Sequence, residues 1–141
     1  MENPRFQFVM VKPKAVELDF TENFFEEFNK EGLILVWQKR VQLTREQIDF
    51  LYRPYKRAHW FEGFAEIMTG SDSVIAIWMG GDDIIEITFE IRERIREQYK
   101  KLIEFYDLHA ADSEEIAISQ LKFLIGKEVF DIMAQATQKK G

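Results

Sequence analysis

Two short segments constrain the fold before any other feature of the chain. Arg5–Val11 (RFQFVMV) and Ser73–Met79 (SVIAIWM) are almost wholly apolar, the first bounded by Pro4 and Pro13 and the second closed by Gly80-Gly81. Apolar runs of this length, flanked by residues that bend the chain, suit buried strands better than helices. The β-branched and aromatic content of Ser73–Met79 strengthens that reading. Buried strands need helices to cover them, and the rest of the sequence supplies helical periodicity.

From Thr21 onward, Phe24, Phe25 and Phe28 share one helical face, Glu22, Glu26 and Glu27 lie outside it, and Gly32 stands at the C′ position. Leu33–Leu43 (LILVWQKRVQL) is apolar and then alternates, as a long strand entering a polar stretch does. Thr44 and Gln47 form a capping box for a helix with Ile48, Leu51 and Tyr52 on its inner face, ended by Pro54. A further helix is predicted over Trp60–Thr69, stopping at Gly70. Ile84, Ile87, Ile91, Ile95 and Tyr99 then repeat at helical spacing, so Asp82 or Asp83 caps one long helix running through about Lys101.

Ile103–His109 (IEFYDLH) alternates like a strand that delivers His109 at its end. Asp112 or Ser113 caps a helix ending at Gly126, and Lys127–Ala136 forms a short helix before a loose polar tail. This order describes an antiparallel or mixed sheet with helices packed on it. The economical solution is an α/β fold, a ferredoxin-like α/β sandwich with a mainly antiparallel four-stranded sheet and surrounding helices. At 141 residues and 46% hydrophobic content, one domain spanning 1–141 is expected.

Composition narrows the chemistry. The 25 acidic and 19 basic side chains leave a formal charge of −6, which argues against nucleic acid as the main partner while leaving room for a local basic pocket. No cysteine means no disulfide framework, thiolate zinc site or cysteine nucleophile. No run of about 18 uncharged apolar residues occurs, and the first residues carry Glu2 and Arg5, so neither a membrane span nor a signal peptide is expected and a soluble, cytoplasmic protein is. The seven glycines are not spaced as a phosphate-cradling loop or a dinucleotide fingerprint. Two histidines, His59 and His109, exclude a metal site built from several histidines, though either could act alone.

At this point an ordered series of motifs becomes recognisable. FVMVKPKAV resembles the opening strand and Lys-Pro-Asp turn of nucleoside diphosphate kinases, and FFEEFNKEGLILVWQKRVQLTREQIDFLY resembles their next helix, strand and helix. Tyr52, then Trp60-Phe61 and EIMTGSDSVIAIWMGG, continue the likeness to the family's tyrosine, aromatic pair and strand ending in Trp-x-Gly. LHAADSEEIAISQLKFLIG resembles its Ile-His-Gly-Ser-Asp-Ser segment and following helix.

The resemblance implies a phosphohistidine enzyme. An imidazole takes the γ-phosphate of a nucleoside triphosphate and passes it to a nucleoside diphosphate, with Mg²⁺ carried on the nucleotide phosphates rather than in a protein metal site. It implies His109 as nucleophile, Lys12 and Tyr52 beside the phosphates, Trp60 stacking on the base with Phe64 closing its other side, and Ser113 and Gln120 in supporting positions. Arg96 matches a family arginine, and Arg92 shares its face if that stretch is helical. A homo-oligomer, a dimer or larger, is also implied.

Departures keep a second reading open. Thr88 stands where the family has an arginine, the loop that follows is shortened, and Tyr106, Gln120 and Lys14 replace the family's asparagine, glutamate and acidic residue. A catalytically decayed nucleotide-binding or scaffold protein of the same fold is therefore the alternative to a working phosphotransferase.

Overall fold

The computed structural model describes residues 3–100 and 108–140. Four strands, β1 (Arg5–Val11), β2 (Ile34–Val41), β3 (Ser73–Gly80) and β4 (Leu108–Ala110), form one sheet in the order β2-β3-β1-β4. Every pairing is antiparallel. Of the predicted strand Ile103–His109, residues up to 107 lie outside the described residues, as does Tyr106.

The helices are α1 (Pro13–Glu17), α2 (Thr21–Lys30), α3 (Arg45–Leu51), α4 (Phe61–Gly70), α5 (Ile84–Tyr99), α6 (Glu114–Ile125) and α7 (Glu128–Lys140), with a 3₁₀ turn at Arg53–Tyr55. Because side chains alternate across a strand, each central strand feeds two cores. Phe6, Phe8 and Met10 of β1 and Ile75, Ile77 and Met79 of β3 pack under α3, α4, α6 and α7. Val9 and Val11, with Val74, Ala76 and Trp78, pack under α1, α2 and α5. That is the ferredoxin-like sandwich, and its all-antiparallel sheet resolves the mixed-sheet option.

Local chemistry sets the helix ends. Thr44 Oγ1 accepts from the Gln47 backbone N–H at 3.2 Å and Gln47 Oε1 accepts from the Thr44 N–H at 2.9 Å, completing the capping box. Gly32 takes φ +79° beyond α2, a conformation that favours glycine. Two expectations are corrected, and a third, the cap of α5, is met in position without its side-chain bond. Pro13 opens a short helix instead of a simple turn, since its fixed φ suits the first helical position and Lys12 before it is extended at ψ 156°. Asp83 occupies the N-cap of α5 without a side-chain cap bond, and Asp82 pairs with Arg5 at 3.3 Å. The tail is not loose: Ile132, Met133 and Ala136 continue an apolar stripe against the core, and α7 runs to Lys140.

No helix among the described residues is long and apolar enough to cross a membrane. The second core centres on Phe28, fully buried and stacked on Trp78 at 4.7 Å between centroids. Phe28→Ala is expected to cost about 3–5 kcal/mol, read as a lower urea midpoint with an unchanged slope; a loss under about 1 kcal/mol would show that this face is not close-packed.

Candidate active site

The site is organised by β4. Among the described residues β4 pairs only with β1, with His109 opposite Met10, which puts the imidazole on the sheet face covered by α3 and α6. Buried Gln7 clasps the segment that follows: its Nε2 donates to the Ala111 carbonyl at 3.0 Å and its Oε1 accepts from the Phe8 N–H at 2.9 Å. Ser113 then caps α6, its Oγ accepting from the Ile116 N–H at 3.1 Å. Two turns further on, Gln120 returns to the same side, and its Oε1 lies 3.0 Å from His109 Nε2. The imidazole packs against the rings of Phe8 and Tyr52, at 5.5 and 5.1 Å.

This histidine looks into a cleft of about 320 Å³. Lys12 comes from the end of β1, Tyr52 from the end of α3, and Arg92 and Arg96 from one face of α5, so six of the nine predicted site residues (His109, Gln120 and these four) line one cavity. The other three lie elsewhere. Trp60, 40% exposed, stands at the N-cap of α4 beside Tyr55, at 5.6 Å. Phe64 packs edge-on between Trp60 and Tyr52, at 5.6 and 4.8 Å. Ser113 is engaged in its cap.

The cleft also contains residues that sequence reasoning missed: Phe50, Arg53, Tyr55, Asp112 and Ile116. Arg53 and Tyr55 flank Pro54 immediately after Tyr52, so a charged, aromatic turn beside a predicted site tyrosine was the available signal. Thr88 is buried and its hydroxyl donates to the Ile84 carbonyl at 2.6 Å, so this position presents nothing to the cleft. Arg92 lies one turn further along the same helix. Its guanidinium covers the Phe89 ring at 4.7 Å, and its buried Nε has no hydrogen-bond partner.

The resulting electrostatics oppose those of the whole chain. Among the described residues, Lys12, Arg53, Arg92 and Arg96 line the cleft against one lining carboxylate, Asp112, in a protein of net charge −6. Such a cleft attracts anions. Among the described residues no group of acidic or imidazole side chains could hold a metal ion by itself.

Burial pushes the His109 pKa down to about 4; the charges of Lys12 and Arg92 add to the effect, while Gln120 and Asp112 oppose it. The imidazole is therefore neutral throughout the physiological range. The unfolded chain's histidine takes a proton near 6.5 and the folded one does not, so its contribution to stability is complete above that pH and is lost as pH falls towards 4. An NMR titration of the free protein is expected to place His109 near 4, with Gln120→Glu moving it upward. A native value at 6.5 would contradict the enclosed site.

Comparisons with known proteins agree with this arrangement. The family model for nucleoside diphosphate kinase matches residues 6–130. A nucleoside diphosphate kinase of Acidiphilium cryptum (strain JF-5) is 27% identical over 124 residues, covering 81% of this chain and 88% of the relative. One from Saccharolobus solfataricus is 31% identical over 80 residues, 57% of each chain. Nucleoside diphosphate kinase structures from Aquifex aeolicus and Encephalitozoon cuniculi each superpose with a TM-score of 0.75 at 22% identity, covering 89% of this chain and 97% and 91% of theirs. At that identity they show the shared fold. The match over residues 6–130, on this sheet order, means that the chain belongs to the nucleoside diphosphate kinase family.

Proposed function

We propose that the protein is a nucleoside diphosphate kinase-like phosphotransferase that moves the γ-phosphate of a nucleoside triphosphate to a nucleoside diphosphate through a phosphohistidine at His109. The observation that carries this reading is the placing of the His109 imidazole, 3.0 Å from Gln120 Oε1, in a cleft to which the described residues Lys12, Arg53, Arg92 and Arg96 bring positive charge. With Gln120 Oε1 facing Nε2, the Nε2–H tautomer donates to it and Nδ1 keeps a lone pair for attack. A bond forms from Nδ1 to the γ-phosphorus and the bridging P–O bond breaks, so the nucleoside diphosphate leaves with the electron pair. A terminal phosphate oxygen of the acceptor diphosphate then reverses the step and restores the imidazole.

Lys12, Arg92 and Arg96 are assigned to the phosphate oxygens, where negative charge builds in the transition state. Mg²⁺ enters with the nucleotide on its phosphates. Tyr52 walls the cleft beside the imidazole, and the exposed ring of Trp60, backed edge-on by Phe64, offers a stacking face to the base. Ser113 supports the site indirectly, by fixing the start of the helix that carries Gln120. In the same reading the protein works in the cytosol as a homo-oligomer of two or more copies.

Incubated with Mg²⁺ and ATP, the native protein is expected to gain one acid-labile phosphate by intact mass, and His109→Ala none. A native protein that binds ATP without gaining phosphate would favour a decayed, binding-only member of the fold. The arginines offer a second test. Arg94 is turned to α2, where it meets Glu31 at 3.0 Å, whereas Arg92 and Arg96 face the cleft. Charge-assisted contacts are worth on the order of 1.5–3 kcal/mol, so Arg92→Ala and Arg96→Ala should each weaken ATP binding tenfold or more, and Arg94→Ala little. Equal, small effects at all three positions would mark α5 as a solvated face.

A further inference from the structure

We propose that Arg53 is a phosphate-binding residue of this cleft, closing on a polyphosphate chain from the α3 side while Arg92 holds it from the α5 side. The inference rests on the nucleotide reading above only for the identity of the molecule that carries the chain. Helices α3 and α5 belong to opposite layers of the sandwich, one under each face of the sheet. Among the described residues, Arg53 therefore supplies charge to the cleft from a layer that gives no other lining cation.

Among the arginines that line the cleft or pair with carboxylates, the manner of holding separates two from the others. Arg5, Arg40, Arg45, Arg94 and Arg96 are tied to carboxylates. Arg53 and Arg92, both lining the cleft, rest on aromatic rings and have no ion pair among the described residues. The Arg53 guanidinium lies 4.5 Å from the Phe50 centroid, and Phe50 is itself stacked on Phe123 of α6 at 4.1 Å and 11°. This three-layer stack ties the turn after α3 to α6, the helix that carries Gln120. It restrains the guanidinium through its flat face and leaves the N–H edge free to fork onto phosphate oxygens. A planar cation held on a ring spends less order on binding than a solvated side chain does.

Two such forks reach along more than one phosphate, so the pair should favour tri- and diphosphates over monophosphates. A lysine at position 53 would keep the charge and lose the fork and the stack.

Calorimetric titration of the full chain with sodium tripolyphosphate and with ATP tests this, using native protein, Arg53→Ala, Arg53→Lys and Arg40→Ala. Arg40 pairs with Asp72 and is no part of the cleft lining, so its variant serves as the charge-loss control. Arg53→Ala should weaken tripolyphosphate and ATP binding tenfold or more and flatten their salt dependence, with an unchanged melting temperature in the absence of ligand. Arg53→Lys should recover part of the affinity, and Arg40→Ala should match native. Native affinity for tripolyphosphate in Arg53→Ala, or no tripolyphosphate binding by native protein, overturns the proposal. Arg53-dependent tripolyphosphate binding without ATP binding would uphold Arg53 and remove the nucleotide reading; phosphate gained at His109 with no effect of Arg53→Ala would do the reverse.

Discussion

The site depends on how β4 is held against β1. Among the described residues β4 has a single neighbour in the sheet, and its pairing with β1 decides which face His109 presents. A shift of one residue would turn the imidazole into the opposite core, among Val9, Val11 and Leu108. The ladder is reinforced by side chains. Gln7 strengthens it from within the sheet, spending both ends of a fully buried amide to bind β1 to Ala111 just beyond the histidine. Glu114, on the next turn of chain, accepts from the Phe6 N–H at 2.7 Å and ties the start of α6 to the same strand. His109 and its Gln120 partner are thus registered against one β1 backbone.

The cleft sets burial against charge. Packing the imidazole among Phe8 and Tyr52 keeps it neutral, which a nucleophile requires, and nearby cations reinforce that state because they repel a second positive charge. Those cations also suit the site to an anion. A glutamate in the place of Gln120 would pull the imidazole towards its charged form, whereas the neutral amide orients the ring without adding charge. With glutamine at position 120, the imidazole's partner adds no carboxylate of its own beside the arginines that line the cleft.

Much of this was legible in the chain. The apolar runs of β1 and β3, the capping box at Thr44 and the isoleucine repeat of α5 are local signals, and each produced the element it specifies. His109 was identified by motif; alternation placed it at the end of a strand, whereas the described strand continues through Ala110. Less legible were features decided by tertiary contact. The last turns of α7 carry a polar sequence that stays helical because Ile132, Met133 and Ala136 dock on the core. Arg53 carried little signal in the chain, and its place in the cleft is visible only once the Phe50–Phe123 stack and the cleft are seen together. Trp60 was expected beside the phosphates' partner base, and folding places it outside the cleft lining, beside Tyr55.

The most direct measurement of the central claim is the initial velocity of phosphate transfer from ATP to a deoxynucleoside diphosphate, with both concentrations varied. Transfer through His109 divides the reaction into two half-reactions, so double-reciprocal plots should be parallel lines and His109→Ala should abolish turnover. Intersecting lines would contradict the covalent intermediate, as would turnover that survives loss of His109.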